Sequence, residues 1–261
     1  MAQDRTQTAL RLALWQGPSP AGRPEVARQA IAEALRAAGA LGANCLVLPE
    51  VFLPGYNHPD IARLALPQHG DWSTDLASLC RNAGCALVLG YAERAGDRIF
   101  NAALVLDDQG RRLGNYRKIQ LYGPRERAIY TPGGAYLTFD LGGRMAAVLI
   151  CYDVEFAPHI AALARRGVEV ILVPTANMQP FVHVGLHTVP AMAASHGVSI
   201  LYANFCGSEG ELRYTGGSVI AGPHGEVLAQ AGEEAAFLVA DLPARDPARL
   251  STQALDFRAL D

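Results

Sequence analysis

Arg144-Met145-Ala146-Ala147-Val148-Leu149-Ile150-Cys151-Tyr152-Asp153 leads, through a helical stretch at about 157–166, to Val168-Glu169-Val170-Ile171-Leu172-Val173. Apolar runs with so few polar residues need cover on both faces. Strand, helix, strand in that order predicts an α/β fold. Outward from this unit the same alternation recurs. Strands are expected at 9–15, 45–48, 86–89 and 199–204, and helices at Pro24–Ala40, 74–83 and Val189–His196. Gly42 ends the first helix. Asp107-Asp108-Gln109-Gly110 and Gly222-Pro223-His224-Gly225 each separate two apolar stretches, at 99–106 and 111–116 and at 217–221 and 226–229. Both are hairpin signals. A mixed sheet with helices on its outer faces follows. Periodicity alone does not say whether two sheets stack.

The chain has 261 residues, half of them hydrophobic and 18% charged, enough to enclose a large core. We expect one domain over 1–261, its core at about 9–242 and a polar, irregular tail at about 243–261. The formal net charge is -3 with no basic stripe, which argues against nucleic acid as a partner. No apolar run reaches the roughly 18 residues of a membrane span. Met1-Ala2-Gln3-Asp4-Arg5 lacks the features of a signal peptide, so a cytoplasmic location is the default expectation. Five cysteines, an odd number without a Cys-x-x-Cys pair, argue against a disulfide framework. Cys45 and Cys85 read as buried strand thiols.

Four residues stand where apolar strands give way to polar chemistry: Glu50 after Leu46-Val47-Leu48-Pro49, Lys118 after Gly114-Asn115-Tyr116-Arg117, Glu126 in the loop from Leu121 to Arg127, and Cys151 at the end of its strand. In α/β folds such strand ends line the ligand cleft. A thiol, a carboxylate to take its proton and an ammonium to hold an oxyanion make an acyl-transfer site. Taken singly, each has a plainer reading: a solvated loop acid, a surface lysine, a core cysteine. His183 and His187 lie four apart, but Val184 stands where a metalloprotease motif carries glutamate. They read as surface or pocket-rim histidines, and no metal is expected. No glycine-rich nucleotide fingerprint follows a strand.

Leu48-Pro49-Glu50, Tyr116-Arg117-Lys118 and Ile150-Cys151-Tyr152-Asp153-Val154-Glu155-Phe156 resemble, in order and separation, the three signature segments of the carbon–nitrogen hydrolase family, the nitrilase superfamily. Phe52-Leu53-Pro54-Gly55-Tyr56-Asn57, Val173-Pro174-Thr175-Ala176-Asn177-Met178 and Tyr202-Ala203-Asn204 extend the resemblance, which covers roughly 9–242. It implies a four-layer α-β-β-α sandwich and hydrolysis of non-peptide C–N bonds without metal or organic cofactor. It makes Glu50 the general base, Lys118 the oxyanion cation, Cys151 the nucleophile and Glu126 a second glutamate that orients substrate or assists proton transfer. The Tyr152 N–H falls beside the oxyanion.

The flanking segments look most like bacterial aliphatic amidases such as 5-aminopentanamidase. That implies a small primary carboxamide as substrate, cleaved to acid and ammonia through a thioester. A nitrile hydrolase, a carbamoyl-amine or N-acyl hydrolase and a catalytically silent relative stay open as alternatives. Tyr56, Tyr122, Tyr152, Asn177 and Phe181 are the expected substrate-binding residues, with Phe52 and Phe156 added to an apolar wall. Asp153 and Glu155 belong to the shared motif and are expected to be structural. Family members assemble as homodimers or larger homo-oligomers. The chain departs from the family at Ala157-Pro158, where proline is displaced by one position. It departs again at Pro190, Met192, Ser195 and His196, which replace an arginine and a glutamate-asparagine pair. These departures bear on substrate range first.

Overall fold

The computed structural model describes residues 10–258; Ala9 of the expected first strand and residues 259–261 of the expected tail lie outside them. Alternation along β1 (Leu10–Gln16) sets the architecture. Leu10, Leu12 and Leu14 join one apolar cluster and Ala13 joins another, as the two-residue period of a strand requires. In chain order the strands that follow are β2 (Cys45–Val47), β3 (Leu66–Pro67), β4 (Ala86–Ala95), β5 (Arg98–Leu106), β6 (Arg112–Arg117), β7 (Leu137–Leu141) and β8 (Arg144–Val148). Then come β9 (Val170–Pro174), β10 (Ser199–Ala203), β11 (Ser208–Glu209), β12 (Leu212–Arg213), β13 (Val219–Ala221), β14 (Val227–Gln230) and β15 (Ala236–Leu242).

Seven strands make the first sheet, in the order β15-β1-β2-β4-β5-β6 with β3 beside β4, and six make the second, β14-β13-β10-β9-β8-β7. In each, a parallel centre (β1-β2-β4 and β8-β9-β10) is flanked by antiparallel strands. Leu12, Leu14 and Val47 of the first sheet meet Val148, Leu172 and Leu201 of the second in one fully buried cluster. The opposite face of the first sheet, with Leu46, Leu87 and Leu104, packs on α1 (Pro24–Ala40) and α3 (Asp71–Ala83); the short α2 (Ile61–Leu64) lies between them in the chain. The second sheet is covered by Ile160 and Leu163 of α5 (Ala157–Ala164) and by Val189 and Ala193 of α6 (Val189–His196). A short α4 (Gly123–Ile129) precedes this pair. The result is the four-layer α-β-β-α sandwich that the resemblance implies.

Local sequence explains the layers. Pro24 occupies the first turn of α1, where its missing N–H costs nothing. Ala27, Ile31, Ala34, Leu35 and Ala38 are its buried residues, one stripe at helical spacing. Fully burying a side chain such as Ile31 or Leu35 contributes about 1.5–3 kcal/mol. Pro158 likewise sits in the first turn of α5, so the displaced proline still starts the helix.

Three expectations need correction. The strand ahead of Cys151 stops at Val148; the Leu149 N–H still donates to the Leu172 carbonyl of β9 at 3.2 Å, and Ile150 leads into a tight turn. Glu126 lies on α4 and not in a loop; Pro124 in the first turn favours that helix. The strands β7 and β15 were not foreseen. β15 pairs antiparallel with β1 from Leu10↔Leu242 to Gln16↔Ala236, a partner some 220 residues away. The tail beyond Leu242 carries a short helix, α7 (Gln253–Asp256). Among the described residues no helix is long and apolar enough to cross a membrane.

Candidate active site

Glu50 lies just past the carboxyl end of β2, Lys118 past β6, Cys151 past β8 and Thr175 past β9. Here the Glu50 N–H donates to the Thr175 carbonyl at 3.2 Å, tying one sheet to the other beside the site. Glu50 is held against β4 by an unusual closeness. A Cβ on Gly90 would come within 2.4 Å of the Pro49 carbonyl oxygen and 2.7 Å of Glu50 Cα. Only glycine leaves room for the Glu50 segment to cross there.

Glu50, Lys118 and Glu126 form a buried chain. Lys118 Nζ donates to Glu50 Oε1 at 2.6 Å and to Glu126 Oε1 at 2.8 Å, and all three side chains are at most 1% exposed. Asn101 Nδ2 donates to Glu50 Oε1 at 2.7 Å. Tyr56 OH donates to Glu126 Oε1, and the Tyr122 N–H to Glu126 Oε2, each at 2.8 Å. Glu50 Oε2 is buried with no hydrogen-bond partner among the described residues. An unpaired buried oxygen is costly and marks where a transferable proton would be welcome.

Electrostatics sharpen this. Burial pushes the Glu50 carboxyl up to about 7; Lys118 pulls it down, Glu126 pushes it up again. Burial alone would lower the Lys118 ammonium, but Glu50 and Glu126 outweigh it and hold it well above the ordinary range. An ion pair by itself would depress Glu50. Desolvation wins because one ammonium is shared between two buried carboxylates. The Cys151 thiol is also raised well above its usual value, by burial and by Glu50, against the pull of Lys118 and of the Ala176 N–H. Burial thus favours the neutral form of the thiol.

Cys151 opens a tight turn, Cys151–Glu155, with φ of +45°. Val51, next to Glu50, has φ of +44°. Non-glycine residues held this way cost of order 1–3 kcal/mol each and collect at functional sites. The turn is clamped by Asp153. Its carboxylate accepts from the Ile150 N–H at 3.0 Å, Tyr116 OH at 2.8 Å and the Gln120 N–H at 2.7 Å. Asp153 thus fastens the cysteine turn to the segment that carries Lys118, in keeping with its expected structural part.

Cys151 faces a cavity of about 280 Å³ lined by Tyr56, Tyr122, Tyr152, Glu155, Asn177, Met178, Phe181 and His183. All five expected substrate-binding residues are there. Tyr122 meets Tyr152 edge-on with centroids 5.3 Å apart and Phe181 at 6.0 Å. Asn177 spends its side-chain N–H on the Phe181 carbonyl at 2.8 Å. Its own N–H donates to Asn204 Oδ1 at 2.8 Å, so Asn177 shapes the wall. Two aromatic expectations change. Phe52 is fully buried away from the cavity, stacked on Phe205 at 5.8 Å, and Phe156 backs Tyr152 from behind at 4.8 Å. Glu155 also departs from expectation, since it faces the cavity. His183, expected at the rim, does line the cavity; Asn101 and Met178 had not been singled out as site residues. Of these only Asn101, a lone amide inside an apolar strand, carries a readable signal.

The carbon–nitrogen hydrolase family model matches residues 11–248. A "Hydrolase in pqqF 5'region" from Pseudomonas protegens is 39% identical over 241 residues, 89% of this chain and 82% of that protein. An (R)-stereoselective amidase from Pseudomonas sp. is 33% identical over 76% of this chain and 73% of its own. The crystal structure of an amidase from Nesterenkonia sp. superposes with a TM-score of 0.87 at 35% identity, covering 97% of this chain and 94% of that one. A mutant of that amidase carries the acetamide moiety of fluoroacetamide on its active-site cysteine.

Proposed function

We propose that this chain, which belongs to the carbon–nitrogen hydrolase family, hydrolyses a small primary carboxamide to its carboxylic acid and ammonia through a thioester on Cys151. The observation that carries this reading is the buried chain Glu50–Lys118–Glu126, whose charges act on a thiol that faces an aromatic cavity. A carboxyl near 7 can both take and return a proton at neutral pH.

The steps follow from these groups. Cys151 Sγ attacks the amide carbon as Glu50 removes the thiol proton. The oxygen takes up the electron pair and is held by Lys118 Nζ and the Tyr152 N–H. One such donor contributes roughly 3–4 kcal/mol. The oxyanion collapses, the C–N bond breaks, and Glu50 gives its proton to the leaving nitrogen, which departs as ammonia. Glu50 then deprotonates a water, whose oxygen attacks the thioester. The acid leaves and the thiol regains its proton. Glu126 keeps Lys118 aimed and, with Tyr56, steadies the amide end of the substrate. Every step is carried by side chains, backbone and water. The same reading takes residues 1–261 as one catalytic domain that works as a homo-oligomer.

Ammonia release from a short amide and from its matching nitrile tests the proposal. The amide is expected to be turned over and the nitrile at least a hundredfold more slowly. Faster turnover of the nitrile, or release of carbon dioxide from a carbamoyl amine in preference to either, would replace the amidase reading.

A further inference from the structure

The cavity over Cys151 holds a carboxylate for which the hydrolysis has no use. Glu155 closes the turn that Cys151 opens and lines the cavity beside Tyr122, Tyr152, Phe181 and His183. It is half-buried, and burial pushes its carboxyl above the ordinary carboxylate range while His183 and Lys118 pull it back. Among the described residues no N–H or O–H hydrogen-bonds the Glu155 carboxylate. Lys118 hydrogen-bonds Glu50 and Glu126 and makes no ion pair with Glu155. The site therefore gathers Glu50, Glu126 and Glu155 around a single ammonium.

A partly desolvated carboxylate without a hydrogen-bond donor calls for a cation. In the same cavity Tyr122 is set edge to face with Tyr152 and with Phe181, and aromatic faces also attract an ammonium. Near 280 Å³, the cavity is at the lower limit for small-molecule sites. We propose that Glu155 is a specificity-determining residue that receives a protonated amine at the far end of the substrate. The preferred substrates are then short amides bearing an amino group, and amides bearing a carboxylate are rejected by the same charge. This rests on the reading of Cys151 as an amidase nucleophile.

The test compares kcat/KM for three amides of one length: pentanamide, 5-aminopentanamide and the monoamide of glutaric acid. In the unaltered protein 5-aminopentanamide should exceed pentanamide by tenfold or more, chiefly through KM, and the glutaric monoamide should fall tenfold below it. Added salt should narrow both gaps. Glu155→Gln should bring the amino-to-neutral ratio within threefold, and Glu155→Lys should reverse the order of the charged amides. Equal efficiency on all three in the unaltered protein overturns the inference and leaves the amidase reading standing, as does a ratio that Glu155→Gln leaves intact. If none of the three releases ammonia, both readings fall. The unaltered protein decides this even if the Glu155 variants do not fold.

Discussion

Replacing Lys118 by methionine keeps the length of the side chain and removes the only ammonium between two buried carboxylates. Both Nζ hydrogen bonds, 2.6 Å to Glu50 and 2.8 Å to Glu126, are lost with nothing to replace them. Breaking a buried pair in this way costs about 3–5 kcal/mol, a large share of the 5–15 kcal/mol that holds a typical domain together. The cost depends on pH. Without Lys118 the coulombic pull that restrains the Glu50 carboxyl disappears, so a group already pushed up to about 7 rises further. A carboxyl whose folded pKa is raised stabilises the fold below its unfolded value, about 4.5, and loses that stabilisation as pH climbs through the folded value. Urea unfolding at pH 5.5 and pH 8 should therefore show Lys118→Met losing more stability at pH 8. Adding Glu126→Gln should restore part of it. Catalysis should fall 10²–10³-fold from the lost oxyanion donor. A stability loss equal at both pH values would refute the buried-chain reasoning.

The acid limb of kcat/KM should follow Glu50: its base form is the carboxylate, so activity rises with pH through about 7, measurable as ammonia release across pH 5–9. Gly90→Ala should cut kcat by tenfold or more with little change in secondary structure by circular dichroism, since its Cβ would drive into the Pro49 carbonyl and Glu50. Asp153→Ala removes the acceptor for three hydrogen bonds. At about 1 kcal/mol or more each the turn loosens, and kcat should drop at least tenfold alongside a lower urea midpoint. Leu35→Ala, far from the site on α1, should cost about 2–5 kcal/mol and leave the kcat of the folded protein unchanged.

The layers were legible because their strands and helices carry their own patterns. Val170–Pro174 is buried at every position and reads as such, and the stripe of α1 is plain in the residues. The stacking of two sheets was not, because it depends on which face of β1 meets which face of β10, a contact that neither segment encodes alone. The same holds for β15, whose apolar run acquires meaning only by pairing with β1. At the site, Glu50, Lys118, Glu126 and Cys151 stood out through motif order. The left-handed turn at Cys151 and the orphaned Glu50 oxygen arise from tertiary crowding and left no mark in the residues. Glu155 misled for a related reason. Its neighbour Asp153 is consumed by three hydrogen bonds, and nothing in the spacing says that a residue two places on turns into the cavity.

The most direct measurement is acid-quench mass spectrometry of the protein mixed with excess short amide at pH 7–8. The account predicts a mass increase equal to the acyl group, mapped to the peptide carrying Cys151 and accompanied by a burst of ammonia, with both absent in Cys151→Ala. Undiminished amide turnover by Cys151→Ala, or ammonia released with no acyl mass on that peptide under conditions that trap thioesters, would contradict it.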